Sequence, residues 1–111
     1  MLKQTVFVQL DFGASTKVSK DIFCQFQPDY VVVKQVTFAS DDVKSVYAVQ
    51  SGMIDGGVLA IFRGDSDAQP GLFFPLNQPV NGSQEFTLTS SATVGNPTGI
   101  LFLALEFNKI K

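Results

Sequence analysis

The chain reads as an all-β fold, an eight-stranded antiparallel jelly-roll sandwich of two four-stranded sheets, filling residues 1–111 as one domain. Three observations predict it. No stretch carries a sustained 3.6-residue apolar period. Short β-branched and aromatic runs recur instead at about ten-residue spacing between turn signals. The last run is also the longest, which suits a central C-terminal strand. At 111 residues there is chain enough to bury about two thirds of the unfolded surface without covalent staples.

The elements follow in order. In "TVFVQLDF" (5–12) Val6, Val8, Leu10 and Phe12 share one face, and Gly13 to Thr16 make the turn. "VSKDIFCQFQ" (18–27) puts Val18, Ile22, Cys24 and Phe26 together, and Pro28-Asp29 breaks it before "YVVVKQVTFA" (30–39). Pro28 fixes its own φ and lacks an amide donor, which suits a corner, and Asp29 can cap amides left free there. "SVYAVQS" (45–51) is the fourth strand, "GVLAIFR" (57–63) the fifth, and "LFFPL" (72–76) a short sixth in which Pro75 marks an edge. In the seventh, "EFTLTS" (85–90), Phe86 and Leu88 alternate with Glu85, Thr87 and Thr89, the pattern of a strand wet on one side.

The eighth run, "GILFLALEFNKI" (99–110), is different. Leu101, Leu103, Leu105 and Phe107 fill one face, while Ile100, Phe102 and Ala104 make the other apolar too, so a cover is expected on both sides. Strands one, eight, three and six are expected in one sheet, and two, seven, four and five in the other. The rival all-β arrangement, an immunoglobulin-like sandwich, lacks here the buried Trp and paired Cys of antibody-type domains.

Composition narrows the function. Hydrophobic residues make up 45% of the chain, with eleven Phe, two Tyr and no Trp, more apolar surface than a small monomer easily hides. A net charge of -2 with no basic run argues against a nucleic-acid partner, whose phosphates require a clustered basic face. The start "MLKQTVFVQLDF" has none of the three parts of a signal peptide. With the single cysteine, Cys24, this leads to the expectation of a chain made in cytosol. The longest apolar runs are far too short to span a bilayer as a helix.

Catalytic chemistry finds few residues to use. The absence of histidine excludes a His-based triad, a His general base and every His-containing zinc site. Cys24, among Phe23 and Phe26, reads as a small buried hydrophobe with an inert thiol. Asp41-Asp42 and Asp65-x-Asp67 could supply the two carboxyls of a glycosidase, but nothing else in the chain supports it. Without Trp, a sugar platform would fall to Tyr30, Tyr47 and the Phe residues. Asp65, Asp67 and nearby backbone carbonyls could take a Ca²⁺, but a full shell needs six to eight oxygens, and a solvated turn is the expected role of these residues. Asn81-x-Ser83 reads as the turn before strand seven, and "GVLAIFRG" lacks the Lys and following helix of a phosphate loop. No catalytic residue, metal or cofactor is expected.

"FQPDYVVVKQVTF" (26–38), followed by "GVLAIF" and the closing "GILFLALEF", resembles the small single-jelly-roll minor capsid or vertex (penton-like) proteins of icosahedral DNA viruses. In those viruses they accompany double-jelly-roll major capsid proteins. The resemblance implies a structural virion protein, made in the host cytoplasm, that forms a homo-oligomer, a vertex pentamer being the simplest ring, and packs against a major capsid protein. Ile100, Phe102, Phe73 and Phe74 are then the expected subunit contacts. The alternative is a small carbohydrate- or ligand-binding β-sandwich module. Arg63-Gly64-Asp65, the tripeptide that cell-surface adhesion receptors recognise elsewhere, lies between strands five and six with glycines and aspartates that suit a turn on an exposed rim. Turn formation is the expected role, and receptor attachment the lesser one.

Overall fold

The computed structural model describes residues 1–11, 17–39, 46–63, 71–77, 81–90 and 99–110. They form eight strands: β1 (Leu2–Asp11), β2 (Lys17–Cys24), β3 (Tyr30–Ala39), β4 (Val46–Ser51), β5 (Val58–Arg63), β6 (Leu72–Pro75), β7 (Gly82–Ser90) and β8 (Ile100–Lys109). Every ladder between them is antiparallel. One sheet runs β1-β8-β3-β6 and the other β2-β7-β4-β5. The first sheet is held together along the full length of β8, which pairs with β1 from Ile100 to Lys109 and with β3 from Ile100 to Asn108. The second is less uniform. It consists of the pairs β2·β7 and β4·β5, joined by a β4·β7 ladder that covers only Tyr47 to Ser51. The result is a jelly-roll-like β-sandwich.

Strand limits differ from the sequence expectation where pairing, not side-chain pattern, decides them. β1 begins at Leu2 because Leu2 to Gln4 pair with Lys109 to Phe107. β7 begins at Gly82 because its partner β2 runs on to Cys24. β2 stops there, earlier than its apolar run, and Phe26 packs against the core from outside the strand.

The core lies between the sheets. From the first sheet come Val8, Leu10, Val31, Val33, Val36, Phe38 and the inner face of β8, and from the second Ile22, Cys24, Tyr47, Val49 and Leu59. Across it the Phe38 and Tyr47 rings meet at 4.6 Å between centroids, tilted by 52°. Met53 and Ile54, carried on the turn after β4, are buried and belong to the same core. That turn closes with Ser51 N–H donating to Gly57 O (2.8 Å) and Gly57 N–H donating to Ile54 O (2.8 Å). Gly56 and Gly57 hold φ of +84° and +76°, a region that residues with a Cβ enter only at a cost.

β3 contains a β-bulge. Its pairing with β8 shifts between Val33 and Gln35, leaving Lys34 as an extra residue. Before the bulge Val31 and Val33 point inward; after it Val36 and Phe38 do, so the bulge exchanges the inward parity.

The corner at Pro28-Asp29 ties down the end of β8. Pro28 is buried, and Asp29 N–H donates to Asn108 O at 2.7 Å. The Asp29 carboxylate accepts from Ile110 N–H at 2.8 Å and so caps the end of the C-terminal strand.

Candidate assembly surface

The outer face of the first sheet is built by alternation along four strands. Registers place its side chains in rows: Asp11, Ile100 and Ala39; Gln9, Phe102 and Thr37; Phe7, Ala104 and Gln35; Thr5, Glu106, Val32 and Phe73; Lys3, Asn108, Tyr30 and Pro75. Three aromatic side chains on this face are open to solvent: Phe7 is 77% exposed, Phe73 58% and Phe102 46%. Phe73 leans on Tyr30, its diagonal neighbour, with centroids 4.5 Å apart.

Between Phe7 and Gln35 stands only the small side chain of Ala104, so the middle row sinks into a groove of about 470 Å³. Phe7 and Phe102 give it aromatic walls, Gln9 and Gln35 amides, and Lys20 of β2 the one charged group among the described residues. Gln35 faces this way because the bulge turns it outward. Lys20 has the inward parity of Ile22 and Cys24 but is exposed.

Farther along β8, Asn108 is fully buried. Its Nδ2 donates to Glu106 O at 3.0 Å, while Oδ1 has no partner among the described residues. At the edge of the sandwich Gln4 bridges the sheets, donating from Nε2 to Phe23 O (2.8 Å) and accepting from Gln25 N–H (3.0 Å).

The expected contact residues therefore separate. Phe102 and Phe73 stand on the outer face, and Ile100 is half-buried there. Phe74 differs: it packs inward against the core, since neighbours on a strand cannot share a face. The expected cover over the second face of β8 is partial within the chain, burying Ala104 but leaving Phe102 open. Phe7 was not among the expected contacts, although its position among Thr5 and Gln9, opposite in parity to Val6 and Val8, marks it as outward.

Of the possible sugar-stacking tyrosines, Tyr47 is fully buried. Cys24 is buried too, and desolvation pushes its thiol pKa up, partly offset by hydrogen bonds with the backbone at Phe26 and Gln25. β5 ends at Arg63, while Gly64 and Asp65 lie outside the described residues, as do Asp41, Asp42, Asp67 and the turns at 13–16, 40–42 and 95–98. Among the described residues no three His, Cys, Asp or Glu side chains cluster to hold a metal, and no helix is long and apolar enough to cross a membrane.

No protein-family model and no curated protein matches the chain. Solved structures do. The chain is similar over 96% of its length to part of dimeric latent PorU from Porphyromonas gingivalis, at a TM-score of 0.58 and 5% identity, and spans only 13% of PorU's length. It is similar to the pentamer-forming Drosophila NLP core (TM-score 0.44, 17% identity, 91% of this chain and 96% of that one). A third likeness is to the virus-like particle protein of the extra small virus of the giant freshwater prawn Macrobrachium rosenbergii (TM-score 0.41, 12% identity, 99% and 80%). Weak similarity is also found to the cyanophage Pam1 capsid and to the CBM36-1 domain of a multidomain xylanase. At these identities what is shared is the β-sandwich.

Proposed function

We propose that this chain is a structural subunit, not a catalyst, which assembles with copies of itself through the outer face of the β1-β8-β3-β6 sheet. One observation carries the proposal: Phe7, Phe102 and Phe73 stand exposed on that single face. Exposed aromatic side chains spread across one sheet face are what subunit contacts bury. The resemblance of 26–38 and the closing strand to single-jelly-roll capsid proteins extends the proposal to a virion role. There the subunit closes a ring at a vertex, packs against the major capsid protein, and resides in the capsid after synthesis in the host cytoplasm.

Sedimentation velocity over a hundredfold concentration range tests the self-assembly, and micrographs of particles made with and without the chain test the virion role. Concentration-dependent oligomers, and particles with altered vertices or seams when the chain is missing, are expected. A strict monomer at the highest concentration overturns the self-assembly, and unchanged particles overturn the virion role.

A second reading is favoured by the groove, whose aromatic walls, two amides and one ammonium are the elements of a small-ligand site. With Tyr47 in the core, sugar stacking there would fall to Phe7 and Phe102. Calorimetry against a glycan panel decides: binding abolished by Phe102→Ala favours the ligand module, and no binding retires it.

A further inference from the structure

β1 is the outermost strand of its sheet, paired with β8 on one side. Its outward row is Lys3, Thr5, Phe7, Gln9 and Asp11, every one exposed. This row is complementary to its own reverse. An antiparallel second copy with Phe7 opposite Phe7 sets Lys3 against Asp11 and Thr5 against Gln9, once on each side of the centre. We propose that two copies of this chain pair antiparallel through β1 in this register, about a two-fold axis at Phe7, joining two four-stranded sheets into one of eight.

The proposal rests on the self-assembly reading above only in that copies of this chain associate; it adds a second contact, at the β1 edge, which covers Phe7 and leaves Phe102 and Phe73 to the contact through the face. Strand addition supplies hydrogen-bond partners along an open sheet edge. The Phe7 pair then covers the most exposed of the three aromatic side chains, and directly opposed opposite charges favour the pairing. The register is specific. A slip of one residue turns Phe7 to the opposite face from its counterpart, and a slip of two sets it against Thr5 or Gln9 and separates Lys3 from Asp11. Lys20, which borders Phe7 and Gln9 from β2, must turn to solvent as the second strand docks.

A cysteine pair tests the register. Positions 5 and 9 lie about 13 Å apart along one strand, beyond the ~4.5 Å between Cβ atoms that a disulfide allows. Any bridge in Thr5→Cys/Gln9→Cys therefore joins two chains, and the buried thiol of Cys24 does not compete. Mild oxidation is expected to give a closed dimer with two disulfides and no longer polymer. Lys3→Asp is expected to weaken dimerisation about tenfold at low salt by opposing like charges twice, and adding Asp11→Lys to restore it. Lys20→Ala dimerises at least as tightly as the parent chain. If the parent self-associates and the cysteine pair gives no linked dimer, the β1 pairing is wrong and the assembly reading stands. A parent that stays monomeric, with no linked dimer, removes both. An unchanged Lys3→Asp dimer also overturns the pairing, and if Asp11→Lys does not fold, the cysteine pair decides alone.

Discussion

The ring of Phe38 occupies the space that a side chain on Gly99 would need. An ideal Cβ built on Gly99 falls 2.7 Å from Cζ and 2.9 Å from Cε1 of that ring. Phe38 cannot readily give way, because it is buried and packed on Tyr47, itself fully buried, across the sandwich. The entry into β8 and the contact between sheets are thus coupled at one backbone position. Gly99→Ala should cost about 1–3 kcal/mol of stability, the range for overfilling a packed core. Urea unfolding followed by tyrosine fluorescence checks this; a loss under about 0.5 kcal/mol would mean that the ring moves freely.

Adjacent residues on β8 should separate folding from assembly. Leu103 is 2% exposed in the intersheet core, whereas Phe102 is 46% exposed on the outer face. Leu103→Asp buries an unpaired charge and is expected to unfold the subunit, a loss above about 4 kcal/mol. Phe102→Asp should keep the circular dichroism of the parent and its stability within about 1 kcal/mol, while reducing self-association. Covering one such side chain is worth about 1.5–3 kcal/mol. A Phe102→Asp chain that assembles like the parent would remove this part of the face from the interface.

The raised pKa of Cys24 sets a sign for alkaline stability. Desolvation disfavours the thiolate in the folded chain, so the unfolded chain loses its proton first as pH rises past about 8.5. Folded molecules then hold more protons than unfolded ones, and stability falls with rising pH. The contribution of the neutral thiol is complete below about pH 8.5 and is lost as pH rises toward the folded-state pKa. Denaturation midpoints between pH 7 and 10 should therefore decline more in the parent than in Cys24→Ala. Equal slopes would show that the thiol titrates alike in both states.

Much of this architecture is legible because period-two alternation records which face is dry. Leu101, Leu103, Leu105 and Phe107 mark the inner face of β8 from sequence, and all four are buried. The same rule carried to β1 leaves Phe7 on the wet side, a signal visible in the sequence but easily passed over beside the apolar C-terminal strand. Other features depend on what lies across the strand. Lys20 shares parity with core residues yet is exposed, and Phe74 is drawn inward by its place opposite Val31. The groove combines residues of β1, β2, β3 and β8, and a depression over Ala104 exists only once its taller cross-strand neighbours are known.

The β3 bulge shows most directly what alternation alone misses, and it can be tested by deletion. "YVVVKQVTFA" reads as one strand, but Val33 pairs with Leu105 and Gln35 with Ala104, so Lys34 has no opposite residue on β8. Removing Lys34 leaves Val31, Val33, Val36 and Phe38 in strict alternation with Val32, Gln35 and Thr37. Each keeps its present face, and the ladder becomes continuous. Deleting Lys34 should therefore give a folded chain with cooperative unfolding, although local twist and the outward reach of Gln35 will change. Deleting Thr37 has the opposite consequence: it turns Phe38 out of the core or forces Val36 out, and the chain should not fold. Amide exchange of β3 and β8 compares the two. Strong protection in the Lys34 deletion and none in the Thr37 deletion is expected; equal damage in both would mean that the extra residue is itself required, its twist setting how β3 lies over the second sheet.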